Sequence, residues 1–254
     1  MSHIVTGSLG LVVFWVPVFA AKGSRLHTWS GRLFAISAYC VAGTAAVSSS
    51  WALVSPISFS GIDRQLTQEE VSILSGNIRF FFAILGALMC GLVSGIQLGS
   101  YCMRTKGKHD KTRNRVLLFQ ILAALASASL AVFGAWQWLQ TGEGRYTLPL
   151  ALGAFFAFDS RSAIRFLLSN ESRDKEWWYL HMECMLGGGI AFYTAFFVFG
   201  FSRLSGVELS GFMQVIPWII PSAIGIPATH LWIASYRRRF EPKAVGRSSL
   251  GSAV

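Results

Sequence analysis

The chain has 254 residues, 53% of them hydrophobic and only 13% charged, with mean hydropathy +0.49. A water-soluble globular domain carries roughly 25% charged residues, so a soluble single domain, a disordered chain and a fibrous repeat are all excluded. The formal net charge of +10 reads in so apolar a protein as a topology signal, and no basic patch interleaved with exposed aromatics marks a nucleic-acid surface.

A helix needs about 20 predominantly apolar residues to cross the hydrocarbon layer. Seven such runs follow in chain order: Ile4 to Ala21, Leu33 to Ile57, Ile78 to Tyr101, Val116 to Leu139, Thr147 to Leu168, Trp177 to Phe201 and Phe212 to Tyr236. The expected fold class is therefore an all-α, seven-span integral membrane bundle. It forms one domain over residues 1–240, followed by a disordered cytoplasmic tail over 241–254. The first run lacks a preceding Lys or Arg, so it is expected to stay as a helix rather than be cleaved as a signal peptide. Between runs two and three, Thr67-Gln68-Glu69-Glu70 is a capping box that should start a helix outside the membrane. On run three, Gly91, Gly95 and Gly99 repeat at four-residue spacing, and run four carries Ala123, Ala124, Ser127, Ala128 and Ala131. Both stripes allow close helix approach, and the same holds for Gly187-Gly188-Gly189 on run six. Pro217, Pro221 and Pro227 predict a kinked or locally unwound seventh span. Trp29, Trp136, Trp138, Trp177, Trp178 and Trp232 lie near span ends, as interfacial belts do. Cys40, Cys90, Cys102 and Cys184 show no Cys-x-x-Cys pairing and read as small packing residues.

Eighteen of the 22 Lys and Arg fall after runs one, three, five and seven, and only Arg64, Arg79, Arg145 and Arg203 lie on the other side. Cytoplasmic loops retain positive charge, so the N-terminus is expected outside and the C-terminus in the cytoplasm. The basic loop from Arg104 to Arg115 and the Arg237-Arg238-Arg239 tail are topological anchors that could also bind anionic lipid heads.

Ionisable groups inside a membrane are costly and are candidates for function. His27, His181 and His230 all fall in the half nearest the basic loops, with Arg32, Asp159, Arg161, Arg165 and Glu183 in the same layer. His109 and His3 cannot reach it. Residues two apart sit about 200° round a helix, so His181 cannot share a point with Glu183, nor Asp159 with Arg161. Two polar assemblies are therefore expected, with Asp159 or Glu183 pairing an arginine of another helix. His27 and His181 belong to first turns, where the positive end of the helix dipole favours neutral imidazole, the form that binds metal or haem iron. Two arrangements follow. In one, haem b sits between His27, His181 or His230, with Arg32, Arg161 and Arg165 near its propionates. In the other, His27, His181 and His230 hold a divalent metal with Asp159 or Glu183 nearby. An ion-paired cluster that only fixes helix register is the plain alternative.

His3-Ile4-Val5-Thr6-Gly7 followed by Lys22-Gly23-Ser24-Arg25-Leu26-His27-Thr28-Trp29-Ser30-Gly31-Arg32 resembles the opening of an uncharacterised group of bacterial predicted membrane proteins, of the domain-of-unknown-function type. That group shows His-Ile-x-x-Gly and then Lys-Gly-x-x-x-His-x-x-x-Gly-Arg. Trp178 through His181 to Phe196, and Pro217 through Pro227, are similar to its last two spans, whereas Ile57 to Pro149 match little. The resemblance implies a multi-pass protein of the bacterial inner membrane and, through His3, His27, Gly31, Arg32 and His181, a site near the cytoplasmic face. It implies no activity, and His230 stands outside the pattern.

The leading expectation is thus a redox or metal protein of the membrane. A small-solute or proton-coupled transporter is the alternative, because broken helices and intramembrane carboxylates serve such pathways. A non-enzymatic subunit of a membrane complex, or a homo-oligomer, is the third. No Gly-rich phosphate loop, nucleophile elbow or His-Glu-x-x-His is present. Membrane lipids are expected partners and nucleic acid is not.

Overall fold

A computed structural model describes residues 2–108, 110–169, 175–201, 206, 213 and 215–241. His109, Arg173, Arg203, the start of the seventh run at Phe212 and the tail from residue 242 lie outside the described residues. Among the described residues the chain is all-helical, with no strands. The order is α1 (Ser2–Phe19), α2 (Arg25–Val54), the short α3 (Pro56–Ser60), α4 (Gln68–Thr105), α5 (Arg113–Thr141), a single 3-10 turn (Gly144–Tyr146), α6 (Thr147–Leu168), α7 (Glu176–Ala195) and α8 (Ile216–Phe240).

Five helices are long and apolar enough to cross a membrane: α2, α4, α5, α7 with the turn that continues it to Gly200, and α8. The α1 helix is apolar but shorter. The α6 helix is not among the five; its 22 residues include Asp159, Arg161 and Arg165. The protein is on this evidence a multi-pass membrane protein.

Helix starts follow local chemistry rather than hydropathy. The α4 helix begins at Gln68, ten residues before its apolar run, because Thr67 Oγ1 accepts from Glu70 N (3.3 Å) while Glu70 Oε2 accepts from Thr67 N (2.8 Å). The capping box stands where the spacing predicts it, and Arg64 clamps the same carboxylate at 2.7 Å. At 1.5 Å per residue, the 38-residue α4 is about 57 Å long and overreaches a hydrocarbon layer of about 30 Å.

The packing glycines fall where backbones meet. A Cβ on Gly99 would lie 2.9 Å from Met185 Cε and 3.0 Å from Cys184 Cβ, so α4 and α7 touch through this residue. On the other side of the bundle, a Cβ on Gly153 would lie 2.5 Å from Ala131 N and Ser127 O, and one on Gly134 2.5 Å from Leu150 N. Only hydrogen fits between α5 and α6 at either position. Ala128, by contrast, lies on the outer side of α5 beside Val132 and Trp136. Of the Gly187–Gly189 triplet, Gly188 meets Ile96 and Phe34, Gly189 meets the Phe14 ring, and Gly187 faces open space.

Aromatic packing fills the middle of the bundle, where Phe14, Phe34, Ala38, Ile96 and Phe192 join α1, α2, α4 and α7. A second cluster of Leu98, Tyr101, Cys102, Phe166, Leu167 and Leu180 closes one end between α4, α6 and α7. The cysteines are free thiols, and Cys102 is fully buried in this cluster. The α8 helix rests on α7 through Tyr179, Met182 and Ile233 and is the least buried of the five candidate spans. It runs unbroken through Pro221 and Pro227. The local unwinding expected there is absent, and the irregular turn instead lies at Phe196–Gly200, where α7 widens into a π turn. Trp29, Trp136 and Trp138 are exposed, whereas Trp177, Trp178 and Trp232 pack against neighbouring helices.

Candidate functional site

The polar groups divide into two assemblies on different sides of α7. The first lies at the end where α1 finishes and α2 begins. A helix C-terminus leaves carbonyl oxygens without intrahelical donors, and two side chains supply donors here. Lys22 Nζ donates to Pro17 O (2.9 Å) and Val18 O (2.7 Å), and His27 Nδ1 meets Pro17 O at 2.9 Å. Ser24 fixes the start of α2 by accepting from His27 N at 3.1 Å, so the imidazole is set one turn into a capped helix. Lys22 Nζ also stands 5.0 Å from the centre of the Trp232 ring, joining this corner to α8. Partial burial in the loop between α1 and α2 holds the Lys22 ammonium below its ordinary value.

His181 completes this assembly from α7. Its Nδ1 lies 2.9 Å from Gly99 O, a contact that the missing side chain of Gly99 permits. A carbonyl only accepts, so in both histidines Nδ1 carries the proton and donates it. Nε2 is then the remaining nitrogen of each ring. His27 and His181 thus share one bonding pattern, Nδ1 to a backbone carbonyl.

The second assembly spans α6, α7 and α8. Asp159 and His230 are exposed and Glu183 is half-buried. His230 lies within electrostatic range of both carboxylates, and Asp159 within range of Glu183. Among the described residues neither carboxylate has a hydrogen-bond or ion-pair partner; the three ion pairs are Arg64–Glu70, Arg104–Asp110 and Arg145–Glu143.

This division follows the 200° offset of Glu183 from His181, and it corrects three expectations. His230 groups with Asp159 and Glu183 rather than with His27 and His181. Among the described residues no three His, Cys, Asp or Glu side chains are placed to hold one metal ion, so the three-histidine metal set with Asp159 or Glu183 is not assembled. Among the described residues the expected cross-helix ion pairs are absent too. Arg161 and Arg165 are exposed on α6, with Arg161 lying over the Phe158 ring at 5.3 Å, and neither meets Asp159 or Glu183. Arg32 is exposed on α2. His3 sits far from this layer with its Nδ1 2.8 Å from Thr44 Oγ1.

Two participants escaped the sequence reading. In the sequence Lys22 is marked by its charge and its place in the Lys-Gly motif, and the Gly99 carbonyl by the packing stripe alone. The four-residue glycine repeat was the one available signal for the latter. No family model, curated protein or solved structure matches the chain.

Proposed function

We propose that the protein is a seven-span membrane redox protein in which His27 and His181 present paired imidazoles to haem b. The observation that carries this reading is the shared hydrogen-bond pattern: each ring donates Nδ1–H to a backbone carbonyl, at 2.9 Å in both cases. Metal-ligating histidines almost always commit their second nitrogen in this way, which fixes the tautomer and raises the basicity of the ligating one. The donor set fits two-imidazole ligation, since the carbonyl bonds engage Nδ1 of each ring and leave Nε2 as the remaining nitrogen. When bound, haem b would supply one-electron chemistry; the chain supplies the ring tautomers, and Lys22 supplies positive charge nearby.

In this reading α1 and α6 complete the seven spans. The 18 residues of α1 reach about 27 Å, and Arg161 and Arg165 lie in the last two turns of α6, where long side chains snorkel to the interface. The basic end faces the cytoplasm by the retention of positive charge, and the family resemblance supports a bacterial inner membrane.

The test is optical. Protein purified in mild detergent should show a Soret band, α-band sharpening on reduction by dithionite, and stoichiometric iron. A spectrum without these features, with no bound iron, removes the reading. A second reading rests on Asp159 and Glu183: unpaired carboxylates with His230 on an open flank of α7 suit proton or cation movement. Proton-coupled uptake of a solute into vesicles, lost in Asp159→Asn, would favour transport instead.

A further inference from the structure

The end opposite the basic loops contains a cleft that neither polar assembly explains. It has a volume of about 640 Å³ between the end of α2, the start of α4, the end of α5 and the 3-10 turn, within the range of small-ligand sites. Its polar lining comes from Arg79, Arg145, Asn77 and Gln137, and its apolar lining includes Phe80 and Phe133.

The two arginines are not equivalent. Arg145 is neutralised by Glu143 (2.6 Å) and held by Tyr146 OH (3.0 Å) and Asn77 Oδ1 (3.4 Å). Arg79 donates Nε–H to Leu53 O at 3.2 Å, and among the described residues no carboxylate pairs with it. It is exposed at the edge of the apolar run of α4, the level at which a guanidinium can meet a lipid phosphate. The cleft therefore carries one surplus positive charge.

Phe133 also lines a second hollow, of about 430 Å³, along the outer side of α5 with Ala128, Val132 and Trp136. Small Ala128 and Ser129 form its floor, and larger side chains form its rims. From Leu125 to Trp136 it follows about 17 Å of helix. The cationic cleft and this open, shallow apolar channel along α5 thus border one another at Phe133.

We propose that this composite groove is a binding site for an anionic phospholipid, with the phosphate at Arg79 and an acyl chain against Ala128 and Val132. The guanidinium matches a phosphate bidentately, and the channel supplies what a free inorganic anion would not need.

Native mass spectrometry of the detergent-solubilised protein, titrated with phosphatidylglycerol or phosphatidylcholine, tests this. The expected result is preferential retention of one phosphatidylglycerol. Arg79→Gln should lower it at least fivefold, whereas Arg64→Gln, at the same end, should leave it unchanged. Ala128→Leu fills the channel from the lipid-facing side and should lower retention similarly, which keeps the test open if Arg79→Gln does not fold. Millimolar inorganic phosphate should not displace the lipid. Equal retention of the two lipids, unchanged retention in Ala128→Leu, or displacement by phosphate alone would overturn the proposal.

Discussion

The two flanks of α7 treat their ionisable groups in opposite ways. Toward α2 and α4, both imidazoles are committed through Nδ1 to a named carbonyl, and glycine brings the backbones into contact. Toward α6 and α8, two carboxylates and a histidine stand within electrostatic reach, with neither carboxylate bonded and the neighbouring Gly187 facing open space. A buried polar group is costly unless partnered, so the first flank holds its imidazoles in fixed geometry, whereas Asp159 and His230 on the second flank are exposed and need no protein partner.

Overpacking should break the closed flank most. Gly99→Leu pushes against Met185 and Cys184 and should cost about 1–3 kcal/mol, moving His181 away from its carbonyl; thermal unfolding of the purified protein would register the loss. Gly153→Ala provides the benchmark for a contact without chemistry. Its Cβ meets backbone on α5, so a larger fall in melting temperature, with α5 and α6 parted, is expected. Removing the Nδ1 bond alone, with His181→Leu, should cost about 0.5–1.5 kcal/mol. The open flank should respond the other way: Glu183→Gln and Asp159→Asn delete unpaired charge and should leave the melting temperature unchanged or raised. A fall comparable to that of Gly99→Leu would mean that the carboxylates are structural after all.

The smallest effect lies at the far end of α4. Arg64 and the Thr67 amide hold the Glu70 carboxyl at about 2 against an ordinary value of 4.5. A depressed folded value means that the cap is fully effective above pH 4.5 and is lost as pH falls from 4.5 toward 2. Hydrogen-exchange protection at residues 68–72, referenced to intrinsic exchange at each pH, should fall across that window, and Glu70→Ala should show the lowered protection already at pH 6.

Much of the architecture is legible in the residues because its causes are local. Apolar runs mark the spans, the Thr67–Glu70 spacing sets the start of α4, and the helical period alone separates His181 from Glu183. The partners of the polar groups are not legible, because they depend on which helices meet. Nothing in the chain announces that His181 would find the Gly99 carbonyl 82 residues earlier, or that α8 would bring His230 to Asp159 and Glu183. The α6 helix is the intermediate case: its charges were visible, but the expected arginine pairing failed because Arg161 and Arg165 lie on its exposed face.

The most direct test is the low-temperature electron paramagnetic resonance spectrum of the oxidised protein in wild-type, His27→Ala, His181→Ala and His230→Ala forms. A low-spin ferric signal typical of two imidazole ligands, lost in the first two variants and kept in the third, is the predicted result. A signal absent from the wild type, unaffected by removing His27 or His181, or abolished by removing His230 would contradict it.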